Sequence, residues 1–144
     1  MPLVQGQTTS FKVGLFNAQF NFGVSTTQVF KLALYTASAS LDASTTAYTT
    51  SGEVVGTGYT AGGVTLTVSQ VPTSSGTTAY IGFADALWPG ATFTARGGLI
   101  YLADGVTNPS IAVLDFGADK TATAQTFTVQ FPTATADSAI VRII

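Results

Sequence analysis

The strongest constraint on this chain is a series of short runs in which apolar and polar residues alternate. Residues 29–35, 64–71, 78–84 and 125–131 show this pattern, and clusters of Gly, Pro, Asn and Asp separate them. A period of two is typical of a β-strand that buries one face, and about eight strand-like runs follow one another at short spacing. We therefore predict an all-β fold, a single antiparallel β-sandwich or jelly-roll-like domain over residues 10–144.

A long polar segment follows the first of these strands. We expect residues 29–35 to be half-buried, whereas residues 36–63 are mostly Thr, Ser, Ala and Gly. Unstructured stretches of this length are uncommon inside compact domains, so the segment is interpreted either as a packed cover or as a contact surface. Tyr48 and Tyr59 are the side chains that we expect to hold it against the sheet.

Turn-forming residues predict where the later strands end. Pro72 should end the second run, and Arg96 with Gly97 favours a bulge between two short strands. The near-continuous apolar run at residues 110–116 predicts a strand buried on both faces. The other predicted loops and turns are at residues 73–76, 85–90, 104–109 and 117–123, and the last predicted strand is at residues 139–144.

The N-terminal part gives weaker signals. Residues 1–9 have no periodicity and are interpreted as an extended arm, either disordered or docked on a partner through Leu3 and Val4. Residues 10–23 fit a short helix capped by Ser10 or a strand. Five large apolar residues here are expected to be buried in either case: Phe11, Leu15, Phe16, Phe20 and Phe22.

The composition excludes several classes of function. Charged residues are 8% of the chain, against about 25% in a typical soluble domain, and the net charge is −2. There is no basic stripe for nucleic acid and no apolar run of the roughly 18 residues that a membrane span requires. The first residues lack the features of a secretory signal, which predicts synthesis in a cytoplasm. No Cys and no His are present, which lowers the expectation of catalysis or transition-metal binding.

Few residues carry chemistry that would indicate a site. We predict no catalytic residue, no metal and no cofactor. Asp115 is expected to pair with Lys120 or to cap a loop. A polysaccharide-cleaving enzyme with two facing carboxylates among Asp85, Asp104 and Asp115, and a weak calcium site, are alternatives. Trp88, in a predicted loop, is a candidate for packing, for a protein interface or for stacking on a sugar. The predicted interface residues are Leu3, Val4, Trp88, Ile143 and Ile144.

Several motifs, taken in order, resemble a known family. They are SFK at 10–12, FKLALYT at 30–36, EVVGTGYTAGG at 53–63, TTAYIGFAD at 77–85, ATFTARGGLIY at 91–101 and AVLDFGADKTAT at 112–123. Over nearly the whole chain these motifs resemble small structural proteins of tailed bacteriophages. Residues 17–28 depart from the family's pattern, so the resemblance implies least about the N-terminal contact region.

The resemblance implies a virion structural protein without enzymatic activity. The expected role is that of a capsid decoration (cement) protein, which binds the major capsid protein on the outer head surface as a homotrimer and stabilises the shell. A tail, collar or fibre component, with a role in assembly or in attachment to host glycans, is the alternative.

Overall fold

The structure is a computed structural model and describes residues 3–144, so Met1 and Pro2 of the predicted arm lie outside it. It contains two antiparallel sheets and one helix, which confirms the predicted all-β, sandwich-like class. The elements in chain order are β1 (Gly6–Gln7), α1 (Thr9–Phe16), β2 (Phe30–Tyr35), β3 (Val64–Leu66), β4 (Val68–Ser75), β5 (Thr78–Phe83), β6 (Ala86–Leu102), β7 (Ser110–Val129) and β8 (Val141–Ile143). The strand order is β1-β7-β6-β2-β3 in one sheet and β4-β5-β8 in the other.

The long hairpin of β6 and β7 forms the centre of the larger sheet. The loop and the reversal predicted at residues 85–90 and 117–123 are wrong, because both strands continue through them. Alternate side chains of β6 still point into the core there, and shifts in register accommodate the Gly and Pro residues. The predicted bulge at Arg96 and Gly97 is confirmed by a register shift, and a Cβ atom on Gly97 would overlap the carbonyl oxygen of Leu114.

Strand β2 is buried on both faces, and the expectation that it would be half-buried is wrong. One face carries Phe30, Leu32 and Leu34 into the main core, which the two sheets and the helix segment enclose. The other face carries Ala33 and Tyr35 into a second, smaller core. Ala39, Leu41 and Tyr48 of the polar segment at residues 36–63 complete this second core, so the segment is packed on the sheet. We call residues 36–63 the cover.

Strand β4 passes through Pro72, which does not end it as predicted. β4 is an outer strand of the smaller sheet, and its pairing with β5 is irregular between Gln70 and Thr73. Proline is tolerated at such a place because its missing N–H removes no ladder hydrogen bond.

Residues 3–9 of the predicted arm dock on the chain's own larger sheet. Leu3 forms a parallel bridge with Leu41, and β1 pairs with β7. Of the helix and the strand that residues 10–23 fit, the structure has the short helix, and its cap is Thr8 and not Ser10. The hydroxyl of Thr8 accepts a hydrogen bond from the backbone N–H of Phe11 at 3.2 Å.

Candidate interaction surface

A groove lies where the outer strands of the two sheets, β1 and β8, approach each other beside helix α1. We call it the edge groove; its volume is about 940 Å³, and its lining includes Lys12, Leu15, Phe16, Leu114, Arg142 and Ile143. The side chain of Gln7 crosses between the sheets here, and its Nε2 donates to the carbonyl oxygen of Arg142 at 2.7 Å. The edge groove therefore borders the open edges of both sheets.

Three large apolar side chains at the edge groove are exposed, and we call them the edge patch: Phe16, Ile143 and Ile144. Their exposed fractions are 94%, 52% and 86%, respectively. Burying such a side chain is worth roughly 1.5–3 kcal/mol, and clustered exposed apolar groups mark interaction sites. The edge patch is thus the part of this surface whose burial by a partner would be most favourable.

The exposure of Phe16 contradicts the expectation that it would be buried. Phe11 and Gly14 face the core from α1, and Phe16 ends the helix on its exposed side. The expected burial holds for Phe11, Phe20 and Phe22, whereas Leu15 is partly buried. A helical periodicity counted from Phe11 would have placed Phe16 outside, so the signal was present in the sequence.

The charged side chains that line the edge groove are Lys12 and Arg142. Arg142 donates from Nη1 to the carbonyl oxygen of Ala136 at 2.7 Å. Within residues 3–144 the one ion pair joins Arg96 to Asp115, so neither cation of the groove has a carboxylate partner there. No Asp or Glu belongs to the described lining of the groove.

Two of the predicted interface residues are buried within the chain. Leu3 is 5% exposed because it packs against the cover. Trp88 is 2% exposed because it lies in β6 and not in a loop, and its ring packs against Tyr59 and Phe127. Both are corrections to their predicted role in partner contact, whereas Val4, Ile143 and Ile144 are exposed.

Glu53 forms the centre of a polar network that holds the cover on the larger sheet. Tyr48 and Tyr59 donate to its Oε2 and Oε1 at 2.7 and 2.6 Å, and the N–H of Gly62 donates to Oε1 at 2.7 Å. The hydroxyl of Tyr59 also accepts from the N–H of Leu34 at 2.9 Å. The ring of Tyr48 stacks on that of Tyr101 in β6, with centroids 4.8 Å apart, so both tyrosines reach the sheet and the expectation that they hold the segment against it is confirmed.

The same network makes its phenols harder to ionise. Burial raises the pKa of Tyr59 far above its usual value, and the hydrogen bond to Glu53 raises it further. Burial followed by the same hydrogen bond raises the pKa of Tyr48. Tyr101 joins the network by donating to the carbonyl oxygen of Gly62 at 2.7 Å, and burial raises its pKa to about 12, with a smaller contribution from the charge of Glu53. These groups are suited to donating hydrogen bonds within the fold.

The three carboxylates that could serve a polysaccharide-cleaving enzyme, Asp85, Asp104 and Asp115, are each engaged locally. Asp85 accepts from the N–H of Phe131, and Asp104 accepts from backbone N–H groups of its own turn, which lowers its pKa. Asp115 pairs with Arg96 at 3.4 Å and accepts from the N–H of Gly117 at 2.9 Å, so its expected pairing with Lys120 is wrong, whereas a local capping contact is present. Within residues 3–144 no three metal-binding side chains cluster, and no helix there is long and apolar enough to cross a membrane.

The sequence did not predict that Lys12, Phe16 and Arg142 would lie in one place. They come from α1 and β8, and only the folded sheets bring these elements together. Comparisons of the chain with models of protein families, with curated proteins and with solved structures found no match.

Proposed function

We propose that this chain is a non-enzymatic structural protein of a bacteriophage virion. Its role is that of a capsid decoration (cement) protein, which binds the major capsid protein on the outer head surface as a homotrimer. Many modest contacts over one shell add up through multivalency and stabilise it. The resemblance to structural proteins of tailed bacteriophages supports this role.

The observation that carries the proposal is the edge patch beside the open edges of both sheets. Exposed apolar groups next to unpaired strand edges are a template for association with another chain. The low charge of the protein, 8% of its residues, also limits repulsion between neighbouring copies on a shell. Each contact should bury more than roughly 1,000 Å² in total to be specific.

Binding to purified expanded capsids tests the proposal. The protein should sediment with the shells at a saturating ratio and raise the temperature at which they break open. Phe16→Ser should weaken this binding, whereas Val55→Ser is a matched control, because Val55 is also 94% exposed but lies in the cover. Failure to bind shells at any ratio would overturn the proposal.

Electron cryomicroscopy of the intact virion tests the location independently. Density of this protein in the head lattice supports the decoration role. Density confined to the tail, collar or fibres supports the alternative and rejects the decoration role. Because Trp88 is buried, its ring is not available to stack on a host glycan.

A further inference from the structure

We infer that the edge groove binds an extended, apolar peptide segment that carries carboxylate side chains and belongs to a partner protein. The inference deepens the proposed function, on which it rests for the identity of the partner as a shell protein. Charge, backbone geometry and apolar lining each contribute to it.

The charge of the groove differs from that of the chain. Carboxylates outnumber Lys and Arg by seven to five in the whole sequence, yet the groove is lined by Lys12 and Arg142. A second copy that paired symmetrically through this surface would place these cations against themselves, which is unfavourable. A segment with Asp or Glu side chains supplies the missing partners.

The backbone of β8 is suited to an extended segment. Arg142 is paired with Tyr80 of β5, and its carbonyl oxygen accepts from the side chain of Gln7, which belongs to β1 of the other sheet. The N–H and C=O of one residue in an antiparallel strand point to the same side, so the N–H of Arg142 faces the side on which Gln7 binds. The side chain of Gln7 therefore occupies the place of a neighbouring strand, and a peptide backbone can replace it.

The apolar lining provides places for the peptide's side chains. Leu15 and Phe16 of α1 and Ile143 of β8 line the groove from opposite elements. Its volume of about 940 Å³ is near the upper end of the range of roughly 300–1,000 Å³ for ligand sites, which is enough for several side chains. Alternation of apolar and acidic residues in the peptide would satisfy both the lining and the cations.

Selection from a random peptide library displayed on yeast tests the inference with the purified full chain. The enriched peptides should combine apolar residues with an excess of Asp and Glu. In fluorescence anisotropy with the selected peptides, Lys12→Glu should weaken binding by about tenfold. Lys120→Glu is the matched control, because Lys120 is exposed on β7 outside the described lining of the groove and its substitution changes the charge equally.

Three results would overturn the inference: no enrichment, enrichment without an excess of acidic residues, or equal weakening by Lys12→Glu and Lys120→Glu. Because the selection uses no shells, it is separate from the test of the proposed function. If shells bind and Lys12→Glu does not weaken that binding, the inference is wrong and the decoration role stands. If acidic peptides bind the groove and shells do not bind, the peptide site stands and the decoration role is wrong.

Discussion

At the scale of single residues, Gly63 determines how the cover returns to the sheet. Its φ is +81°, and an added Cβ atom would overlap the carbonyl oxygen of Leu32 in β2. Gly63→Ala should therefore destabilise the fold by more than the roughly 1–2 kcal/mol that left-handed backbone alone costs a residue with a side chain. Urea unfolding measures this loss.

Gly76→Ala is the matched control for Gly63→Ala. Gly76 also has a positive φ, +58°, but nothing lies within 4 Å of its added Cβ. The free energy of unfolding of Gly76→Ala should fall only by the cost of placing a side chain on left-handed backbone. Equal losses in the two variants would show that close approach to β2 does not constrain Gly63.

The two tyrosines that bind Glu53 should contribute unequally. The hydroxyl of Tyr59 joins Glu53 to the N–H of Leu34 in β2, whereas the hydroxyl of Tyr48 donates to Glu53 within the cover. Tyr59→Phe should thus lower the free energy of unfolding by about 1–3 kcal/mol, and Tyr48→Phe by about 1 kcal/mol or less. Chemical denaturation of both variants measures the difference, and a larger loss for Tyr48→Phe would contradict this account.

At the scale of elements, the start of α1 depends on Thr8. Its side chain is fully buried, caps the helix and lies 2.9 Å from the hydroxyl oxygen of Ser110 in β7. Thr8→Ala should lower the free energy of unfolding by about 1–2 kcal/mol, since both the cap and this contact are lost. Thermal unfolding followed by circular dichroism measures the effect.

Ser10→Ala tests the cap that the sequence predicted. Ser10 lies inside the first turn, and its hydroxyl contacts the hydroxyl of Ser110 at 3.1 Å and the carbonyl oxygen of Thr45 at 3.4 Å. The substitution should cost about 0.5–1 kcal/mol, less than Thr8→Ala, because these contacts are lost but no helix cap is lost. A loss as large as that of Thr8→Ala would mean that the helix begins at Ser10 in solution.

Strand content was predictable from the sequence because it depends on local alternation, as in β2 and β5. The lengths of β6 and β7 were not predictable from the sequence. Gly and Pro residues indicate a turn locally, but pairing of the two long strands with each other overrides that signal. The burial of Trp88 was missed for the same reason, since a loop was assigned where β6 continues. A local sequence pattern does not show which other strand will pair with the segment.

At the scale of the whole molecule, the candidate site was only partly predictable. The exposed C-terminal isoleucines were named from their apolar character, but their proximity to Lys12 and Phe16 depends on the arrangement of both sheets. Residues 12 and 142 are far apart in sequence, and no local period links them. The edge groove therefore follows from topology and not from a motif.

The dependence of stability on pH also belongs to the whole chain. With no His and no Cys, no side chain has an ordinary pKa between about 5 and 8, so stability should be nearly constant there. Above pH 10 the unfolded chain loses phenolic protons, whereas Tyr59 and Tyr101 stay protonated in the fold because their pKa values are raised. A tyrosine whose pKa is higher in the fold than in the unfolded chain contributes its full stabilisation at pH values below the unfolded pKa. This stabilisation is lost as the pH rises towards the pKa in the fold.

The free energy of unfolding should therefore fall above pH 10, by about 1.4 kcal/mol per pH unit for each tyrosine that ionises only in the unfolded chain. Urea titrations at pH 7 to 12 measure this slope. Tyr59→Phe is the informative variant, because it removes one such proton and should make the alkaline slope shallower. Since the pKa of Tyr101 is raised only to about 12, its share of the slope should vanish first. An unchanged slope in Tyr59→Phe would mean that Tyr59 ionises equally in both states and that the cover does not shield it.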